Sequence, residues 1–287
     1  MKQSELLKKL RKERHFSQEK LSSGISHRST LSSFENRDTK LCSETLFKYL
    51  DRLNIKFSEF EFYLHESQPT LKSKLSKQFV DILSKNQSSK TYEELNDYLT
   101  LKYKKTNDYY YYLLQIQLKI VYDKKNDRLN LKDYRNEIKY VSELLFNIET
   151  WGYFELTTFN NLMFIFDDQA ILNLFKNTYK RMKVFYSNQI YQRLLSTFLI
   201  NGCYLGFERN NLQLITLFLT HLKEVTRDPI NIYEIIHVNI FEILIQKFSG
   251  TNVEFHKINI YLDIFCTIGD FEKANELKLF CQKFLAE

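Results

Sequence analysis

In the segment "RSTLSSFEN", four hydroxyl side chains (Ser29, Thr30, Ser32 and Ser33) follow Arg28, while Leu31 and Phe34 are apolar. A guanidinium presents parallel donors that match guanine O6 and N7 in a DNA major groove. Hydroxyls on short side chains reach bases or phosphates only at close range, so Ser29, Thr30 and Ser33 suit an element pressed against the duplex. Gln18 stands at the start of the preceding helical segment, where free N–H groups and the helix dipole favour a phosphate. A second set of polar residues lies in apolar surroundings: Asn160 and Asn161 in "TFNNL", Asn201 in "FLINGCYL", and Asn239 in "IHVNIFEIL". An amide donates and accepts at once, so asparagine can hold the backbone of an extended peptide whatever its side chains. Asparagine is also a poor helix former, so its place in apolar helices calls for such a use or for a bond to a neighbouring helix.

Other chemistries find no residues. There is no glycine-rich phosphate loop, no metal-ligand pair on a helix and no nucleophile elbow. Cys42, Cys203, Cys266 and Cys281 are scattered, and the six histidines are isolated. Neither an enzyme nor a cofactor is expected. No apolar run is long enough to span a bilayer and no secretory leader opens the chain, so a cytoplasmic protein without membrane contact is expected. The net charge is +6, and residues 1–40 hold ten Lys or Arg against five acids, which places nearly all the excess there. A local basic excess is the footprint of nucleic-acid contact.

The elements that must position these residues are helices. Six Gly and two Pro in 287 residues leave few breakers. Leu6, Leu7 and Leu10 form an apolar stripe over 3–15. Ser17 is placed to cap a second helix, with Leu21 turned inward, and Ser26 to cap a third. On the third helix Leu31 and Phe34 share the core face and the small polar residues lie opposite. Two short helices joined by a tight turn, the second polar outside, make a helix-turn-helix, which reads DNA with the N-terminal half of its second helix. "SETLFKYLDRLN" (Leu46, Phe47, Leu50, Leu53) and "SEFEFYL" (Phe60, Leu64) complete five helices. The domain is placed at 1–64, a seam "HESQPTLKS" at 65–73 and a second domain at 74–287. Beyond the seam the breaks predict helices near 71–86, 91–104, 107–123, 131–149, 153–166, 168–182, 188–208, 211–225, 230–248, 254–267 and 270–285. In "IGDFEKA", Gly269 ends one helix and Ala274 lets the next pack close. Stacked hairpins of this kind form a solenoid with a concave face. The tyrosine-rich stretch Asp108–Tyr122 fits either that face or the core, and Lys102, Lys104 and Lys105 read as a solvated face.

"SQEKL" followed by "STLSSFEN" resembles the helix-turn-helix domain of phage-type, lambda-like repressors. The longer "FENRDTKLCSETLFKYLDRLNIKFSEF" and, later, "WGYFELTTFNNLMFIF" are similar to the Rgg family of transcriptional regulators. That resemblance implies an all-α chain: a five-helix DNA-binding domain, then a right-handed α-solenoid of degenerate tetratricopeptide-like hairpins that binds a short signalling peptide, as in quorum sensing. It implies a homodimer on operator double-stranded DNA, joined through the final helices around 254–287. Many members carry Gly where this chain has Arg37. Asn36 is then expected to take the left-handed conformation that ends the helix, and Arg37 to add a phosphate contact. Some members have a Cys at the position of Cys42, near the two-fold axis. An intersubunit disulfide and a plain loop thiol are both open there, and a reducing cytosol favours the thiol. Two other readings stay open: a DNA-binding regulator whose repeats only dimerise or bind a protein, and a scaffold that binds no DNA.

Overall fold

The computed structural model describes residues 1–65, 69–84, 89–186, 188–226, 231–250 and 256–286. The described residues are helices and connections, with no strand among them. They fall into two compact units, Met1–Lys85 and Asn86–Glu287, so the helix Leu71–Ser84 is grouped with the first. Residues 66–68 of the expected seam lie outside the described residues.

The first unit opens with α1 (Gln3–Glu13), α2 (Gln18–Ser22), α3 (Arg28–Arg37), α4 (Ser43–Arg52) and α5 (Phe57–Leu64), followed by α6 (Leu71–Ser84). Leu6, Leu7, Leu10, Leu21, Leu31, Phe34, Leu46, Leu50 and Phe60 form the core expected from their spacing, joined by Tyr49. Phe47 departs from expectation. It lies off the buried Leu46–Leu50 face and is half exposed, its ring set edge-on to Phe57 at 5.2 Å. Ser17 caps α2 as expected, accepting from the Lys20 N–H at 3.0 Å. Ser26 does not cap α3, because its hydroxyl bonds Tyr49 Oη and the His27 carbonyl, and His27 holds the cap position. Gly24, at φ +70°, makes the turn between α2 and α3. Arg52 closes that turn from α4, donating to the carbonyls of Leu21 and Ser23.

The second unit contains α7 (Ser89–Thr106), α8 (Tyr109–Lys125), α9 (Arg135–Asn147), α10 (Tyr153–Leu162), α11 (Asp168–Met182), α12 (Gln189–Glu208), α13 (Leu212–Val225), α14 (Ile232–Ile245), α15 (His256–Thr267) and α16 (Phe271–Ala286). These match the expected helices to within a few residues, and short 3-10 turns extend several ends. Junctions follow a local rule. Asn107 and Asn210 take left-handed φ of 52° and 51°. The next residues, Asp108 and Asn211, then cap the following helix by accepting from Tyr110 N and Leu214 N. Asn and Asp tolerate the left-handed region and offer a short acceptor, which is why they serve here. Gly269 takes φ +87° before α16, and Ala274 is buried, as the spacing implied.

Helices α8, α10, α12 and α14 lie side by side as one rank, and α7 pairs with α8, α13 with α12, and α15 with α14 and α16. One continuous core runs from Leu113 to Phe284. Trp151 is fully buried, donating to the Leu145 carbonyl at 3.2 Å while its own carbonyl accepts from Tyr191 Oη at 2.9 Å. The closest packing is between α12 and α13. A Cβ at Gly202 would meet the Phe218 ring at 2.4 Å, and one at Gly206 would meet Ile215 at 2.8 Å. No helix of the described residues is long and apolar enough to cross a membrane.

Candidate nucleic-acid interface and amide-lined groove

α3 turns Leu31 and Phe34 into the core and leaves Arg28, Ser29 and Thr30 exposed along its first turn, with Ser33 half-buried beside them. Arg28 makes no ion pair among the described residues, and its side chain is exposed. Gln18 has a more specific place than its position at the helix start suggested. Its Nε2 donates to Glu35 Oε2 at 2.8 Å, which fixes the side chain and leaves the amide oxygen as a free acceptor. Glu35 is itself held by a buried bidentate pair with Arg11, both bonds 2.6 Å. Composition gave no sign of this pair. A signal was available, since Arg11 stands four residues after Leu7 and Glu35 adjoins Phe34, both on apolar faces.

The end of α3 differs from the expectation. Asn36 stays helical, accepting from Lys8 Nζ at 2.7 Å and donating to Ser32 Oγ at 3.2 Å. Asp38 takes the left-handed conformation instead, at φ 53°. The Ser4 hydroxyl at 2.7 Å and Lys2 at 2.8 Å hold the Asp38 carboxylate there. Arg37 is exposed, and Cys42 is an exposed free thiol at the N-cap of α4.

In the second unit, a cavity of about 320 Å³ opens between α8, α10 and α12. Its lining includes Lys124, Asn160, Phe164, Asn201, Tyr204 and Glu208. The structure brings two of the four asparagines together here. Asn201 Nδ2 donates to Asn160 Oδ1 at 3.0 Å. That bond leaves the Asn160 NH₂ and the Asn201 amide oxygen unpaired, a donor and an acceptor side by side. The other two are placed elsewhere. Asn161, one residue on and so turned by 100°, donates to Gln117 Oε1 at 2.9 Å and stitches α10 to α8. Asn239 donates to the Ile235 carbonyl of its own helix at 2.9 Å. Neither lines this cavity. The tyrosines of 108–122 are mostly packing rings: Tyr122 stacks on Tyr92 at 4.1 Å and Tyr112 on Tyr103 at 5.0 Å.

Lys124 is a lining residue that sequence reasoning missed. It is exposed at the end of α8, its Nζ 3.8 Å from the Phe164 ring centroid, which takes part of its hydration away. That partial desolvation pushes its pKa down. A second cavity, of about 460 Å³, lies further along α12 and includes Arg193, Thr197, Tyr233 and Glu234. Arg193, Thr197 and Asn201 are four residues apart and share one helix face, so both cavities lie along it. Behind the groove, His237 of α14 is fully buried. Its Nδ1 is 2.7 Å from the Tyr233 carbonyl, to which it donates, and its Nε2 has no partner. Burial pushes its pKa down to about 4.

Residues 92–279 match the family described as HTH-type transcriptional regulator Rgg, C-terminal domain, and residues 7–60 match the helix-turn-helix family. Solved structures agree over nearly the whole chain. A Listeria monocytogenes EGD-e protein described as a transcriptional regulator is 18% identical with a TM-score of 0.84, covering 99% of this chain and 97% of that one. A Cys-to-Ser variant of the SHP pheromone receptor Rgg2 of Streptococcus dysgalactiae is 18% identical with a TM-score of 0.79, covering 99% of each chain. PrgX in complex with iCF10 is 17% identical with a TM-score of 0.76, covering 99% of this chain and 96% of that one. At these identities the likeness is one of fold. The family match extends over well more than half of the sequence, and this chain belongs to the Rgg family of HTH-type transcriptional regulators.

Proposed function

We propose that this regulator binds operator DNA through residues 1–64 as one half of a two-fold dimer, and that a short signalling peptide bound in the groove of the repeat domain controls it. The observation that carries the reading is the Asn160–Asn201 pair, whose spare donor and acceptor stand at an open cavity in a chain that begins with a helix-turn-helix. Backbone amides of a peptide match that pair. Two structural relatives, by name a pheromone receptor and a protein solved with iCF10, lend weight.

On DNA, Arg28 reads a base edge, Ser29, Thr30 and Ser33 approach bases or phosphates, and Gln18, Asn36 and Arg37 face the backbone. Asn160 and Asn201 hold the peptide directly, and Asn161 and Asn239 support the helices that carry them. The dimer forms through α15 and α16, where Ile260, Ile264 and Ile268 make an exposed apolar stripe beside exposed Phe271 and Leu279. Cys42 works as a free thiol in a reducing cytoplasm and bridges two copies only under oxidation. The chain has no catalytic role. Peptide shifts the regulator only through its differential affinity for the two arrangements of the dimer.

The test is binding to the promoter DNA beside the protein's own gene across a salt series. Wild type should bind tightly with a steep salt dependence, and Arg28→Ala should lose about 1–3 kcal/mol. Equal binding by both forms, with no salt slope, would count against the DNA assignment.

A further inference from the structure

We propose that Lys124 receives the C-terminal carboxylate of the bound peptide, so that the groove takes a peptide of about seven residues in one direction. The proposal rests on the peptide reading above and adds the peptide's polarity and length.

Lys124 is the starting observation. A lysine normally keeps its ammonium in water or against a carboxylate. Here the side chain is exposed on the wall of a cavity, its ammonium over the Phe164 ring, and no carboxylate among the described residues lies within ion-pair distance. Glu208 lines the same cavity from the exposed end of α12, outside ion-pair reach. An unpaired cation facing an open cavity is a ready site for an anion. The Asn160–Asn201 pair lines the same cavity and engages a backbone unit without regard to side chain. An amide reader beside an anion reader describes the last residues of a peptide better than its middle.

The groove then sets the length. From Glu208 to Arg193 the face of α12 spans fifteen residues, about 22 Å at 1.5 Å per residue. An extended chain rises about 3.3 Å per residue, so about seven residues reach the second cavity. Glu234 stands there, half-buried and without an ion pair among the described residues, and suits the peptide's amino group.

Three heptapeptide libraries test this on the full chain, with wild-type Trp151 fluorescence as the sign of an intact fold in each variant. The first uses neutral residues only and ends in a free carboxylate, the second is the same with a C-terminal carboxamide, and the third is the carboxamide library with one Asp position. Wild type should retain the free acids about tenfold or more over the carboxamides, as expected for a charge-assisted hydrogen bond. Lys124→Gln should bring that ratio near one, and Lys124→Arg should keep it. Asn201→Ala should lower retention of all libraries and leave the ratio alone. Equal retention of acids and carboxamides by wild type, or an unchanged ratio in Lys124→Gln, overturns the assignment while the peptide reading stands. Retention of the Asp library to the level of the free acids also overturns it, since the carboxylate would then come from a side chain. Retention of no library by wild type defeats the peptide reading itself.

Discussion

Replacing Glu35 by alanine should unfold the first unit selectively. Glu35 accepts two bonds from Arg11 and one from Gln18, so it joins α3 to both α1 and α2. The Arg11 and Glu35 side chains are 8% and 0% exposed. After the substitution the Arg11 guanidinium would keep only the Phe16 carbonyl, 2.7 Å away, and would remain buried without a counter-charge. Breaking a buried pair from one side costs about 3–5 kcal/mol. That is a large share of the ~5–15 kcal/mol that holds a typical domain folded. Removing both charges is a different perturbation. Arg11→Met with Glu35→Leu leaves no unpaired ion, and such replacements are often neutral or stabilising by about 1–4 kcal/mol. The two units can be followed separately, because the only tryptophan, Trp151, belongs to the second. Urea titrations read by far-UV circular dichroism should show an early transition in Glu35→Ala, with the Trp151 fluorescence midpoint unmoved. A single variant within about 1 kcal/mol of wild type, or a double variant as unstable as the single, would refute the reasoning from burial.

Gly202→Ala should destabilise the second unit by about 1–3 kcal/mol, because its Cβ overlaps the Phe218 ring; the Trp151 fluorescence midpoint reports the loss, and adding Phe218→Leu should recover part of it. His237 should make the same unit acid-sensitive. Its folded pKa of about 4 lies below the ordinary 6.5, so the unfolded chain takes up the proton first as pH falls. Stability is then full above about pH 6.5 and declines toward pH 4, by about 2 kcal/mol at pH 5, and urea titrations of His237→Leu at pH 7 and pH 5 should show that dependence removed. Ser17→Ala should cost the first unit about 1 kcal/mol through the lost cap on α2, read by circular dichroism.

The helix order was legible because its punctuation is local. Gly24, Gly269 and the Asn-Asp and Asn-Asn junctions carry their conformational preferences wherever they stand, and Leu31 with Phe34 fixes which side of α3 faces outward. Asparagine in an apolar helix flagged the groove, yet it could not separate Asn160 from Asn161, since one residue of rotation sends one amide to the cavity and the other to Gln117. Arg11 and Glu35 are far apart in sequence, and only the folded α1–α3 contact shows that their charges cancel. Lys124 drew no notice in the sequence, because the ring beneath its ammonium, Phe164, comes from α10's extension, forty residues on. Ser26 and Asn36 met the local rules for caps, but Tyr49 and Lys8 claimed their side chains from other helices.

Gly202 and Gly206 have a mechanical meaning as well. With no side chain between them and Phe218 or Ile215, α12 and α13 touch almost backbone to ring, and an interior packed that tightly has little room to yield. The two helices act as one stiff plate, and α12 lends the groove one of its walls. A ligand pressing on that plate cannot dent it. α14 packs against both helices, and His237 keeps its unpartnered nitrogen inside that joint. A push on α12 is therefore shared with α13 rather than absorbed between them.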